Sequence, residues 1–351
     1  MLAINLKSVR GLAMAAATVA MSLGVSAQAH AEKLNIAVSS SVAAYGSFWV
    51  ALADNLFEKH GVELNIVSTN ALSTGSAMLV SGQIDLLLSS SFLGMRIASQ
   101  GKPLKLLYNF ANMDARGNAF IGKPDIKSIE DLAAKGTDCR VLILPSGTAT
   151  WAMYQGIASK YNIQCEVSTA GTVPLVVSGV VSGQFDAAEI NTQEGITAEA
   201  EGKVNMLLDP RTMTDEESHA IYPYSHPILN LLGMGPDLEK KREDIARFIA
   251  ALREASALME QRSSDELGMV AEQLPDVFGT TTSEALAQQW ALAMPFLPSG
   301  ENAGMVSEDE WVALLTAGPK LWGMPEDLPK LPAVSYANVV DMSYYKDSAN
   351  Y

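Results

Sequence analysis

Two nearly identical phrases occur in this chain, VSGQID at 80–85 and VSGQFD at 181–186. Each follows an apolar stretch, SAMLV or PLVVSGV, and each precedes a short apolar segment, LLLSSS or AAEIN. This order predicts a helix, a tight turn at the glycine and a buried strand in both places. Chance similarity is the alternative, because any parallel sheet needs such turns. We interpret the pair as the same joint in two lobes of similar organisation.

Predicted strands and helices alternate along most of the chain. With 351 residues, of which 48% are hydrophobic, the chain is long enough for two domains. The segment 228–234, ILNLLGM, predicts a returning strand, and two capping-box patterns predict the starts of late helices, Thr281-x-x-Glu284 and Ser307-x-x-Glu310. The predicted fold class is α/β, with parallel-rich sheets flanked by helices.

Residues 1–31 have the pattern of a secretory signal peptide. Lys7 and Arg10 precede the apolar stretch GLAMAAATVAMSLGVSA, and AHA at 29–31 fits a small-x-small cleavage site before Glu32. A membrane anchor is the alternative, but the stretch is barely long enough and no charged stop-transfer flank follows it. We expect export to the periplasm, removal of residues 1–31 and no direct membrane anchor.

The net charge of −15 disfavours a nucleic-acid partner, because phosphate recognition relies on cationic side chains. The sequence has no GxSxG, HExxH, CxxC, P-loop or GxGxxG motif. The histidines after the predicted signal peptide, His60, His219 and His226, do not have the spacing of metal ligands. We therefore expect no enzymatic activity, no cofactor and no metal site.

The chain has two cysteines, Cys139 and Cys165, and each opens an apolar predicted strand, CRVLIL at 139–144 and CEVST at 165–169. A helix-like stretch separates the two strands, and consecutive parallel strands joined by a helix usually lie side by side. Both thiols would then lie at the same sheet edge, and an oxidising compartment favours a bridge. The sequence therefore predicts a disulfide, with two buried free thiols as the alternative.

Two series of predicted strands suggest how the lobes divide the chain. The first lobe would comprise residues 32–113 together with the helical segment 229–351, and the second lobe residues 114–228. The chain would then cross between the lobes twice. Two crossovers make a hinge, so we expect the lobes to close on each other.

Small and polar side chains follow many of the predicted strands. In open α/β sheets, ligands bind outside the carboxyl ends of the strands, near helix N-termini with free N–H groups. Helix capping is the alternative role for each Ser and Thr. Arg116, in the first crossover, is interpreted either as an anion partner or as an ordinary surface cation. The candidate ligand-binding residues are Ser39, Ser40, Ser41, Tyr45, Asn70, Ser89, Ser90, Ser91, Asn109, Ser146, Gly147, Thr148, Thr169, Glu189, Asn191 and His226.

The order and spacing of several phrases carry a family resemblance: KLNIAVSSS, ALADNLFEKHGVEL, GSAMLVSGQIDLLLSSS and IKSIEDLAAKG before CRVLILPSGT. The chain resembles the periplasmic solute-binding proteins of ABC importers in the sulfonate, nitrate, taurine and thiamine-precursor group. The resemblance implies two α/β lobes of the type II periplasmic binding protein kind, closing on a small molecule that is passed to a membrane permease. We expect a monomer. An enzyme on the same fold and a sensory domain are the alternatives.

The prediction of the ligand's identity depends on only a few residues. Glu189, at a strand exit, would seek a hydrogen-bond donor, which favours an amine-bearing or heterocyclic ligand such as a thiamine pyrimidine precursor. A pair with a nearby Lys or Arg is the alternative role for Glu189. Asn191 and Glu194 resemble the N-x-E-G stretch of pyrimidine binders, with one extra residue between them. An aliphatic sulfonate or taurine-type anion is the alternative ligand.

Overall fold

Two five-stranded sheets organise the computed structural model, which describes residues 33–38, 43–69, 72–279 and 281–351. The predicted signal peptide lies outside the described residues. The strands in the described part of the chain are β1 Leu34–Val38, β2 Leu64–Ser68, β3 Leu86–Ser90, β4 Leu104–Asn112, β5 Asn118–Gly122, β6 Arg140–Ile143, β7 Glu166–Thr169, β8 Ala187–Asn191, β9 Asn205–Leu208 and β10 Pro227–Met234.

Helices cover the faces of both sheets and make up most of the chain after β10. The α-helices are α1 Gly46–Ala53, α2 Leu56–Lys59, α3 Leu72–Val80, α4 Ser91–Ser99, α5 Ile129–Ala133, α6 Ala149–Tyr161, α7 Val173–Val181, α8 Thr192–Ala200, α9 Asp215–Ile221, α10 Gly235–Leu238, α11 Arg242–Met259, α12 Ser264–Gly268, α13 Val270–Gln273, α14 Pro275–Phe278, α15 Ser283–Ala293, α16 Glu308–Leu321, α17 Tyr336–Val339 and α18 Ser343–Asp347. Short 3-10 turns include Ala43–Tyr45, Ala115–Gly117 and Met294–Phe296. None of the helices in the described part of the chain has the length and apolarity needed to span a membrane.

The two sheets have the same strand order. The first sheet runs β2-β1-β3-β10-β4 and the second runs β7-β6-β8-β5-β9. In each, three parallel strands are followed by one antiparallel strand, β10 in the first sheet and β5 in the second. The antiparallel strands are the first strand after each passage of the chain between sheets. The predicted two-lobed α/β fold and the returning strand are therefore confirmed.

The repeated phrase marks the same joint in both sheets. It ends α3 before β3 and α7 before β8, which hold equivalent places in the two strand orders. Gly82 and Gly183 have φ angles of 73° and 74°, a conformation that glycine adopts without steric cost. Asp85 accepts a hydrogen bond from the backbone N–H of Asn35, and Asp186 accepts one from that of Arg140. Each aspartate thus ties its turn to the neighbouring parallel strand, β1 in the first sheet and β6 in the second.

The cysteines lie one residue before two neighbouring parallel strands. Arg140 of β6 pairs with Glu166 of β7, which places Cys139 and Cys165 side by side. Their Cα atoms are 4.7 Å apart and a disulfide joins them.

The segment after β10 contacts both sheets' helical layers. Helix α11 packs on α1 and α2 over the first sheet, whereas α16 contacts both β10 and α6, the helix that follows β6 of the second sheet. Apolar side chains of both sheets therefore belong to one continuous cluster, which includes Leu87 of β3, Ile143 of β6 and Trp322 after α16. A smaller cluster lies between α7 and the opposite face of the second sheet.

Candidate functional site

A cavity of about 280 Å³ lies where the carboxyl ends of strands from both sheets meet. This volume is at the lower end of the range of about 300–1,000 Å³ for small-molecule sites, which points to a small ligand. Most of the lining surface is apolar. The lining residues are Ala43, Ala44, Tyr45, Ser89, Ser90, Ala111, Asn112, Met113, Asp114, Arg116, Gly117, Asn118, Leu144, Gly147, Thr148, Ala149, Thr150, Asn191, Thr192, Gln193, Ile228, Leu229, Gln289, Leu292, Ala293 and Phe296.

Six of the residues proposed from the sequence line this cavity together. They come from the entrance of α1, the end of β3, the loop after β6 and the end of β8. They are Tyr45, Ser89, Ser90, Gly147, Thr148 and Asn191. Four more candidates, Ser39, Ser40, Ser41 and Asn70, lie outside the described residues.

The other six candidates are not brought to the cavity. Ser91 donates to the backbone oxygen of Pro227 and accepts from the amide of Asn230. Asn109 is buried beside the side chain of Asn112, and Thr169 is exposed at the end of an edge strand. Ser146 lies beside Gly323, and His226 is hydrogen-bonded to Tyr222. Glu189 is buried in the middle of β8.

Two of the lining residues, Ser89 and Tyr45, are buried. The hydroxyl of Ser89 has no hydrogen-bond partner among the described residues, although only 1% of the residue is exposed. Tyr45 packs edge-on against Phe110, and burial raises the pKa of its phenol. A buried hydroxyl without a partner costs free energy, so Ser89 is suited to bond a bound molecule.

Three helices begin at the cavity, and each is capped by a predicted residue. The side chains of Ser90, Thr148 and Asn191 accept hydrogen bonds from the third residues of α4, α6 and α8. Capping leaves the first two N–H groups of each helix without an intrahelical acceptor. For α6 and α8, these N–H groups belong to residues that line the cavity: Ala149, Thr150, Thr192 and Gln193. The residues that cap these helices therefore also line the cavity.

Arg116 and Asp114 are the charged residues that line the cavity. Nε and Nη2 of Arg116 donate to the two carboxylate oxygens of Asp114 at 2.8 and 2.7 Å, and Nη1 donates to Asp215 at 2.6 Å. Burial alone would raise the pKa of Asp114, but the hydrogen bonds from Arg116 hold it below its usual value. Asp114 also accepts from Ser218. The guanidinium is thus fixed in orientation while two of its five N–H groups have no partner among the described residues.

Two carboxyl groups, that of the buried Glu189 and that of the half-buried Glu194, lie near the site without lining it. Glu189 is 0% exposed, neither of its oxygens has a hydrogen-bond partner among the described residues, and burial raises its pKa well above the usual value. Burial raises the pKa of Glu194, in the first turn of α8, to about 7. Both side chains are therefore held largely in the neutral form at mildly acidic pH.

The sequence did not predict most of the cavity-lining residues that lie outside the ends of the parallel strands. Asn118 opposes Asn191 across β5 and β8, and only the antiparallel pairing of these strands brings the two amides together. Phe296 and Gln289 come from the segment after β10, far away in sequence. The ion pair could have been predicted from the Asp-x-Arg spacing at 114–116, because two side chains in the same turn are close enough to pair.

Comparisons with known proteins agree on the architecture. The family model described as NMT1/THI5 like matches residues 44–262. The structure is similar to the alkanesulfonate-binding protein SsuA of Xanthomonas axonopodis pv. citri bound to MOPS, with 15% identity and a TM-score of 0.63, over 88% of this chain and 98% of that one. It is also similar to the periplasmic nitrate-binding protein NrtA of Synechocystis PCC 6803, with 12% identity and a TM-score of 0.68, over 92% and 89% of the two chains.

A third similar structure is the ligand-binding component of an ABC-type import system from Staphylococcus aureus, described with zinc bound. It has 14% identity and a TM-score of 0.70, over 90% of this chain and 99% of that one. The described residues of the present chain contain no group of three or more His, Cys, Asp or Glu side chains placed to hold a metal ion. A comparison with curated protein sequences finds no match.

Proposed function

Because the chain belongs to the NMT1/THI5-like family, we propose that it is an extracytoplasmic solute-binding protein that captures a small organic anion between its two lobes. Residues 32–113 with 229–351 and residues 114–228 are proposed as the lobes. The protein would act in the periplasm as a monomer, without catalysis, and would deliver its ligand to the membrane permease of an ABC importer. The similar structures named above, which include binding proteins of import systems, support this role.

The preference for an anion rests on one observation: several residues with hydrogen-bond donors still free in the described part of the chain line the cavity. Among the described residues, they are the first residues of α6 and α8, Ser89 with its unpartnered hydroxyl, and Arg116, which keeps two free N–H groups although it is paired with Asp114 and Asp215. Helix N-termini favour negative charge, and a guanidinium binds carboxylate or sulfonate oxygens through two parallel N–H groups. The mostly apolar remainder of the wall suits a ligand with an apolar body. We therefore propose a carboxylate or sulfonate on a compact hydrocarbon or aromatic frame.

An amine-bearing or heterocyclic ligand remains the second candidate, but its support is weaker. It depended on Glu189, which is buried and does not line the cavity. Glu189→Gln keeps the size of the side chain, so under the anion proposal it leaves ligand affinity within about two-fold. A loss of ten-fold or more for an amine ligand would favour the amine instead, since a hydrogen bond to a charged group is worth about 1.5–3 kcal/mol.

Matched sets of three ligands test the charge preference directly. Each set shares one apolar body and carries a sulfonate, a carboxylate or an amine, for example phenylmethanesulfonate, phenylacetate and benzylamine. Titration calorimetry at constant ionic strength should give at least ten-fold tighter binding for an anion than for the amine on the same body. Tighter binding of the amines across the panel would contradict the proposal.

A further inference from the structure

Trp322, directly after α16, connects two parts of the chain that are distant in sequence. The residue is 1% exposed, and its indole Nε1–H donates to the hydroxyl of Tyr222 at 2.9 Å. Tyr222 belongs to the passage by which the chain returns from the second sheet to β10. The end of α16 is therefore bonded to the return crossover.

Tyr222 lies between Trp322 and His226 in a buried hydrogen-bond network. An indole N–H can only donate, so the Tyr222 oxygen accepts from Trp322. The same hydroxyl is hydrogen-bonded to Nδ1 of His226 at 2.8 Å. Burial lowers the pKa of His226 to about 4, so the imidazole is neutral at neutral pH.

The backbone of Trp322 bonds to the cavity wall. Its carbonyl oxygen accepts from the N–H of Gly147 at 3.0 Å. The next residue, Gly323, has a positive φ of 62° and lies so close to Ser146 that an added Cβ would be 3.1 Å from the Cβ of that serine. One side of the loop 146–148 is thus covered by the segment that ends α16.

The other side of the same loop meets the first sheet. Gly147 has a φ of 86°, and a Cβ at this position would overlap the ring of Phe92 on α4. The loop is therefore enclosed between Phe92 and the Trp322-Gly323 segment. Gly147 and the following Thr148, Ala149 and Thr150 line the ligand cavity.

We propose that Trp322 is a positioning residue for ligand binding, which holds the cavity loop 146–148 and the start of α6 in place by bonding Gly147 and Tyr222 at once. It acts through the loop and does not touch the ligand cavity itself. In this arrangement the segment after α16 is a strap between the return crossover and the second sheet. The proposal uses the proposed function only to identify the cavity, so its test needs no ligand.

Hydrogen exchange of the ligand-free protein, followed by mass spectrometry, tests this role. Trp322→Phe keeps an aromatic ring but removes the indole donor. We expect peptides covering 146–150 to exchange about five-fold faster, the effect of losing one hydrogen bond, while peptides of β1 and β3 stay unchanged. Tyr222→Phe removes the acceptor of the same bond and should give the same local pattern.

Trp311→Phe is the matched control. Trp311 is also fully buried and donates its Nε1–H at 2.9 Å, but to the backbone oxygen of Val334 within the segment after β10. This variant should leave the exchange of 146–150 unchanged. Unchanged exchange of 146–150 in Trp322→Phe would overturn the proposal, and so would an equal increase in Trp311→Phe or throughout the chain.

Discussion

Gly147 lies in the loop after β6 of the second sheet, directly against the ring of Phe92, which lies on α4 beside the first sheet. The space available to a side chain at position 147 is therefore set by the other lobe. This relationship predicts how the two lobes respond to a single added methyl group.

Gly147→Ala should hold the lobes apart. The new Cβ would overlap the ring of Phe92, and alanine at a φ of 86° is strained in addition. We expect a larger radius of gyration by small-angle scattering and weaker anion binding. Adding Phe92→Ala removes the overlap but not the strain, so the double variant should recover the compact form. If the double variant stays as open as the single one, the contact does not limit closure.

Arg116→Gln should weaken binding of an organic anion by about ten- to a hundred-fold, as expected for losing a charge-assisted hydrogen bond. Arg211 offers a matched control, because it forms the same forked pair two residues after an aspartate, with Nε and Nη2 bonded to Asp209. Arg211 does not line the cavity. Arg211→Gln should leave the affinity unchanged in calorimetry. Equal losses in both variants would assign the effect to the fold and not to ligand contact.

The buried carboxyl of Glu194 should make the protein less stable as the pH rises. Its pKa is raised to about 7 in the folded chain, against about 4.3 for an unperturbed glutamate. The folded state therefore binds more protons than the unfolded state between these values, and stability falls as pH increases through that window. At pH 8, urea titration should give Glu194→Gln a free energy of unfolding about 2 kcal/mol higher than that of wild type. At pH 4, the two free energies of unfolding should be nearly equal.

Glu216→Gln, at an exposed position on α9, is the control for that comparison and should not alter the pH dependence. A Glu194→Gln variant whose stability relative to wild type is the same at pH 4 and pH 8 would show that the carboxyl titrates normally.

The sequence predicted the order of elements well because the patterns that determine it are local. The Ser307-x-x-Glu310 capping box forms at the start of α16. The Thr281-x-x-Glu284 box does not form, because Thr282 takes the capping position of α15 and bonds the N–H of Ala285. Thr281 and Thr282 are equally suitable N-cap residues by type, so the sequence pattern alone does not show at which of them the helix begins.

The residues that line the cavity were harder to predict, because residues near the end of one strand differ in how deeply they are buried. Asn191 lies at the end of β8 and reaches the cavity, whereas Glu189, two residues earlier, is covered completely. A shift of two residues keeps the face of the strand but moves the side chain along it by about 6–7 Å. The contacts of Trp322 with Tyr222 and Gly147 depend on chain segments a hundred or more residues away, for which no local pattern exists.

Removing the Cys139–Cys165 disulfide should lower the free energy of unfolding by about 3 kcal/mol, because the bridge closes a loop with a sequence separation of 26 residues. Cys139→Ser with Cys165→Ser is compared with wild type by urea unfolding under non-reducing conditions. Thiol titration of the wild type in denaturant without reductant should find no free thiol. Two free thiols per chain would rule out the bridge in solution.

We propose above all that the cavity between the lobes holds a small organic anion. The most direct measurement is native mass spectrometry of the protein purified without refolding, with the bound small molecule released and identified by its fragmentation. We expect a compact compound carrying a carboxylate or sulfonate, retained by wild type and by Arg211→Gln but lost from Arg116→Gln. A cationic or uncharged compound, retained equally by all three proteins, would contradict it.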